Sequence, residues 1–158
     1  MIDLIYLFVV IVGYSTAYIV SLFSLAVYID PDEVEELYPG LSPSRRRFVA
    51  RLADDPLVFV QIANVYKSFA LILVTVAVFQ LLPRLGFAEP MQVAAVRVVG
   101  LLITWVLYIF FVEYMPRRSA NLADRSRMLR HLWLIRVIYL LFFPVVRSYR
   151  QALRQIRR

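Results

Sequence analysis

The sequence predicts an all-α membrane protein, a single domain over residues 1–158 with three transmembrane helices and a C-terminal set of juxtamembrane and short re-entrant or interfacial helices. Three observations predict it. The chain is 61% hydrophobic with only four glycines, and its mean hydropathy is +0.70, far too apolar for an ordinary soluble domain. It holds three stretches, each long enough to cross a hydrocarbon core and interrupted by at most one internal charge or by charge near its start. Its positive charge is not spread evenly: eleven of the eighteen basic residues lie between Arg117 and Arg158. Beside apolar segments, such charge suits a membrane surface rather than nucleic acid.

The first span covers 4–29, which carries no charge at all. As a helix it is about 39 Å long, against about 30 Å of hydrocarbon. Only Met1, Ile2 and Asp3 precede it, whereas a cleavable signal would have a basic start and a shorter apolar region, so the span is expected to stay in the mature protein. The second span, 57–82, is opened by Pro56, closed by Pro83 and contains Lys67. The third, 91–115, is uncharged from Val98 to Val112 and ends at Glu113 and Pro116.

A fourth apolar run, 131–146, is short for a span, carries Arg136 and contains Pro144, which predicts a re-entrant or surface-lying helix ending there. After it, Tyr149, Leu153 and Ile156 share one helical face while Arg147, Arg150 and Arg154 point mostly elsewhere, a basic amphipathic helix facing lipid. Between the first two spans, an acidic stretch (Asp30 to Glu36) and a turn at Pro39, Gly40 and Pro43 lead to a basic helix capped by Ser42 or Ser44.

Arginine collects in the 30–55 loop and in the tail, which predicts an outside N-terminus and a cytoplasmic C-terminus. The expected location is the bacterial cytoplasmic (inner) membrane.

Composition narrows the chemistry. Without cysteine there are no disulfides, thiolate metal sites or thiol nucleophiles. The single histidine, His131, reads as an interfacial side chain. There is no phosphate-cradling glycine loop and no Ser, His and Asp set, so an enzyme is not expected.

The polar residues inside the spans are more informative. Gly13, Ala17, Ser21, Ser24 and Tyr28 line one face of the first span, a spacing that lets helices approach closely. Gln61, Asn64, Lys67, Ser68 and Thr75 form a stripe on the second, and Gly100, Thr104 and Glu113 mark the third. Measured from the cytoplasmic boundaries, Ser24 lies about 9 Å deep, Ser21 about 13 Å, Asn64 about 12 Å and Glu113 about 5 Å. Hydroxyl, amide and carboxylate oxygens at similar depth are the ligand set of a hard cation such as Mg²⁺. Lys67, about 16 Å deep, can extend back to pair with Glu113 and neutralise it.

Two segments carry a family likeness. "RRRFVARLADDPLVFVQIANVYKSF" resembles the basic helix, "L-x-x-x-P" entry and "G-N-x-x-x-N" second helix of the CorC and cyclin-M (CNNM) magnesium transporters. "FFVEYMPRRSANLADRSRMLRHLWLIRVIYLLFFPVV" resembles that family's "G-E-x-x-P-K-x-x-A" ending and following apolar run, with Glu113, Pro116 and Ala120 at matching spacing. The resemblance implies a dimer of three-span protomers with a juxtamembrane helical belt. It also implies Mg²⁺ held by Ser24 and Ser21, by Asn64, by Ser68 at the second asparagine position and by Glu113, with Pro116 as the helix breaker that aims Glu113.

The chain departs from the family pattern at three points. The acid that follows the first-helix serine is missing, the glycine before the third-helix Glu is Val112, and Lys67 is new. The sequence also stops before a nucleotide-binding regulatory pair, as a cut membrane domain or a natural short relative would.

Two readings follow. One is a Mg²⁺ transporter or exporter, with the ion bound between three helices. The other is a non-transporting scaffold or accessory subunit of a larger complex, its site filled by a Lys67–Glu113 pair. Membrane lipids and either a second copy or a larger assembly are the expected partners.

Overall fold

The computed structural model describes residues 2–26, 42–85, 90–120 and 131–156, and every regular element among them is helical. Helix α1 is Ile2–Ala26, α2 Pro43–Asp54 and α3 Pro56–Leu81, followed by a 3₁₀ turn, Leu82–Leu85. Helix α4, Pro90–Tyr108, runs into a π-helical segment, Ile109–Tyr114, and then directly into α5, Met115–Ala120; α6 is Leu132–Ile156. Three stretches, Ile2–Leu25, Pro56–Leu81 and Met91–Ser119, are long and apolar enough to cross a membrane. The chain is an integral membrane protein on that basis. The acidic loop, the turn at Pro39 and Gly40, Tyr28 and the 121–130 stretch lie outside the described residues.

Helices α1 and α3 pack antiparallel: Gly13 faces Val74, Thr16 meets Tyr66, and Val20 clusters with Phe59 and Ile62. The small-residue face of α1 is buried in this contact zone, with Ala17 and Val20 fully covered and Ser21 and Ser24 nearly so. Close approach is what small side chains permit where lipid supplies no hydrophobic drive between helices. The Tyr66 hydroxyl donates to Thr16 Oγ1 (2.6 Å), while Tyr14 donates to the Thr104 carbonyl (2.8 Å) and so ties α1 to α4 as well. Away from these seams Leu4, Phe8, Ile72 and Val106 are well exposed, an outward apolar surface that suits lipid tails.

The entry to α3 is set locally. Asp55 accepts from the Val58 N–H (3.2 Å) and Pro56 occupies the first helical position, where no donor is needed. Ser42 stands at the start of α2, but its side chain makes no capping bond; its carbonyl accepts from Arg46 instead.

Two helix boundaries differ from the sequence reading. Pro116 does not end the third span: the helix continues to Ala120, and Pro116 is fully buried. It lies inside this continuous helix just after the π-segment, where it gives up one backbone hydrogen bond. Pro144 likewise lies inside one 25-residue helix, α6, that joins the expected surface-lying run to the basic amphipathic stretch. Leu132, Ile135, Ile138 and Val146 bury one stripe of α6 on both sides of the proline, against α2, α3 and the end of α1, and this packing outweighs one lost hydrogen bond.

A Cβ built on Gly13 would stand 2.5 Å from Val74 Cγ2, and a β-branched valine has little rotamer freedom to yield. Gly13→Ala is therefore expected to destabilise the protein by about 1–3 kcal/mol in detergent unfolding measurements. Adding Val74→Ala should recover part of that loss, and strictly additive losses would contradict the close approach.

Candidate functional site: a paired charge between the second and third spans

The π-segment arises where the third span passes Lys67. Its i→i+5 bonding, seen in the Met115 N–H to Phe110 carbonyl contact, inserts a residue into the turn. Everything after it is rotated by about 100° relative to an uninterrupted α-helix. Val112 is thereby buried against Ala17, Ala70 and Tyr108, and Glu113 is left half-buried at the edge of α3. The Tyr108 hydroxyl donates to the Lys67 backbone carbonyl, fixing the register of the two helices one turn before the acid.

The result is an ion pair. Lys67 Nζ lies 2.7 Å from Glu113 Oε1, with the lysine side chain only 12% exposed. Arg117, one turn on, approaches the other oxygen at 3.9 Å and is mostly exposed. A short ammonium–carboxylate hydrogen bond largely shielded from water is the form in which two charges tolerate an apolar membrane helix pair.

Asn64, Lys67, Ser68, Tyr108 and Glu113 border one open-sided cleft of about 350 Å³, whose remaining walls are Leu71, Trp105 and Ile109. Three of the five expected cation ligands therefore share a cleft. Ser21 and Ser24 do not line it: both are buried in the α1 seam, and Ser24 Oγ donates to the Ser21 carbonyl at 2.8 Å. The reason is direction rather than depth. The face of α3 that α1 covers runs through Phe59, Ile62, Ala63, Ala70 and Val74, whereas Asn64 and Ser68 are exposed on a different face. Ser68 Oγ donates to the Asn64 carbonyl (3.0 Å). Among the described residues, no three of His, Cys, Asp and Glu come together as a metal site. His131 is exposed just before α6.

Compared with known proteins, the chain matches no family model, no curated protein and no solved structure. Its chemistry has to be read from its own residues.

Of the basic tail, Arg147 is exposed, while the side chains of Arg150 and Arg154 lie outside the described ones. The sequence marked Arg47 and Arg51 as loop charge and Arg136 as a charge in the fourth apolar run, without bringing together the three, which border a second and larger cleft beside α2. The i, i+4 spacing of the first two was the signal available.

The pair makes an asymmetric prediction for unfolding in detergent. Glu113→Gln strands a buried ammonium and is expected to cost about 1–3 kcal/mol, a buried-pair penalty discounted for the partly exposed carboxylate. Lys67→Met leaves Glu113 with Arg117 and should cost less, and the double variant should lose less than the sum of the two. Additivity of the single losses would sink the coupling.

Proposed function

We propose that this chain is a non-transporting membrane subunit, a helical scaffold or accessory component in which an internal ammonium occupies the place a transported cation would take. The observation that carries this reading is the 2.7 Å contact between Lys67 Nζ and Glu113 Oε1. Mg²⁺ takes about six oxygens in near-octahedral array, several of them water, anchored on one or two free carboxylates. The cleft offers an amide, a hydroxyl and a carboxylate already engaged by lysine, while the two α1 serines face elsewhere. A divalent ion entering beside Lys67 would meet a positive charge at contact distance from its best ligand. In this reading the protein works through association, with a second copy or with a larger membrane complex. The arginine asymmetry of its loops supports a cytoplasmic C-terminus.

A second reading, a Mg²⁺ transporter of the CorC and cyclin-M kind, is favoured by one observation: Asn64, Ser68 and Glu113 border the same cleft. It requires Lys67 to leave Glu113 when the ion arrives.

Reconstituted vesicles separate the two. The parent chain is expected to move no more Mg²⁺ than protein-free vesicles, and Glu113→Gln to change nothing. Mg²⁺ flux in the parent that Glu113→Gln abolishes would replace the first reading with the second.

Removing the plug gives a complementary prediction. Lys67→Asn exchanges the ammonium for an amide oxygen, and Mg²⁺ should then stabilise the variant but not the parent. At ten times its Kd the gain is about 1.4 kcal/mol in unfolding free energy. Equal Mg²⁺ stabilisation of parent and variant would contradict the plugged site.

A further inference from the structure

Helices α2 and α6 meet through side chains at the end of the bundle where α3 begins. Phe48 meets the Tyr139 ring edge-on at 5.7 Å, and Tyr139 stacks on Phe143 at 5.2 Å. Around this aromatic floor opens a cleft of about 590 Å³, bordered by Arg47 and Arg51 from α2 and Arg136 from α6. A smaller hollow of about 180 Å³ adjoins it across Phe48 and Arg136, adding Arg45 and Trp133.

Three features of the cleft bear on what it holds. It gathers three arginines: among the described residues neither Arg51 nor Arg136 has a carboxylate in ion-pair contact, and Arg47 makes a long Nε bond to the Pro43 carbonyl (3.4 Å). Among the described residues the carboxylate that acts on Tyr139 is Asp55, which also accepts from the Val58 N–H at the start of α3. Its position is interfacial: α2 passes through Asp55 directly into the second span at Pro56. Its outer wall is apolar, since Leu140 borders the cleft and continues into Val137, Leu141 and Val145, all more than half exposed. Burial, and then Asp55, push the Tyr139 phenol above its ordinary value while Arg51 pulls it down.

We propose that this cleft binds one anionic phospholipid of the surrounding membrane. The phosphodiester sits on Arg47, Arg51 and Arg136, and the acyl chains run along Leu140 and the exposed face of α6. Guanidinium groups suit this ligand because their planar donor fork matches two phosphate oxygens at once. The aromatic floor and aliphatic wall cover the glycerol and first acyl carbons, which a free phosphate lacks. A zwitterionic headgroup would bring a cation toward a cleft that is already positive, so the site selects net negative lipid. This site is separate from the Lys67–Glu113 cleft and from the basic tail, and does not depend on whether the chain transports ions.

The test uses the full chain in mild detergent, supplied with an equimolar mixture of phosphatidylglycerol and phosphatidylcholine and examined by native mass spectrometry. The expected result is one phosphatidylglycerol retained per protomer in preference to phosphatidylcholine. Arg51→Gln with Arg136→Gln should weaken that retention about 30-fold, and the triple tail variant Arg147→Gln, Arg150→Gln, Arg154→Gln should leave it intact. Millimolar inorganic phosphate should not displace the lipid. If the double variant loses its helical circular dichroism, Arg136→Gln alone, at an exposed side chain, carries the test with a loss of about fivefold. Undiminished retention in the cleft variants, or equal loss in the tail variant, would overturn the proposal. Displacement by phosphate would also overturn it, in favour of a soluble phosphate ligand.

Discussion

Charge inside an apolar bundle has to be matched, and the pairing of Lys67 with Glu113 is the constraint around which the second and third spans are arranged. Lysine lies three turns into α3, while the acid lies near the end of the third span. They meet because the helices are antiparallel and in register, a register held by the Tyr108 hydroxyl on the Lys67 carbonyl. They meet also because the π-segment turns Glu113 toward α3 instead of leaving it on the face an unbroken α-helix would present. A wide turn of this kind forgoes ideal backbone geometry, and the ion pair gives a physical reason for it to persist.

The rest of the bundle supports that junction. Small residues on α1 bring it close to α3, and Ala17 packs with Ala70, Tyr108 and Val112 behind the pair, so the side away from the cleft is dry. Tyr14 joins this layer, with its hydroxyl on the Thr104 carbonyl and its ring against Tyr108. On the opposite flank Phe142 of α6 touches both Tyr66 and Phe69 of α3, so the last helix braces the same stretch from which Lys67 projects. A break in either seam would loosen the register on which the 2.7 Å contact relies.

Much of this was legible in the sequence, and the gaps have physical causes. The three spans follow from runs of apolar residues longer than a hydrocarbon core, and the close packing of α1 follows from Gly13, Ala17, Ser21 and Ser24 on one face. The reach of Lys67 to Glu113 follows from side-chain length and helical rise. Depth along a membrane normal is a one-dimensional quantity, however. It put Ser21, Ser24 and Asn64 at similar heights without saying that the serines face the α1 seam while Asn64 faces the third span. Backbone anomalies are equally hidden: nothing in "IFFVEY" marks a π-turn. Without it, Pro116 reads as the end of a helix that in fact continues to Ala120. Pro144 misled for the opposite reason, because long-range packing of α6 on both sides of the proline outweighs a local rule. Arg136 stood as a lone charge in an apolar run because its companions, Arg47 and Arg51, lie 89 and 85 positions earlier in the sequence.

In the proposed reading an internal cation, rather than a transported one, neutralises Glu113. A cryo-electron microscopy map of the chain in lipid nanodiscs at high Mg²⁺ concentration tests this most directly. The account predicts the Lys67 nitrogen within hydrogen-bond distance of Glu113 and no ion density between that carboxylate and Asn64. Lysine turned away, with an octahedral ion bound by Asn64 and Glu113 in its place, would contradict it.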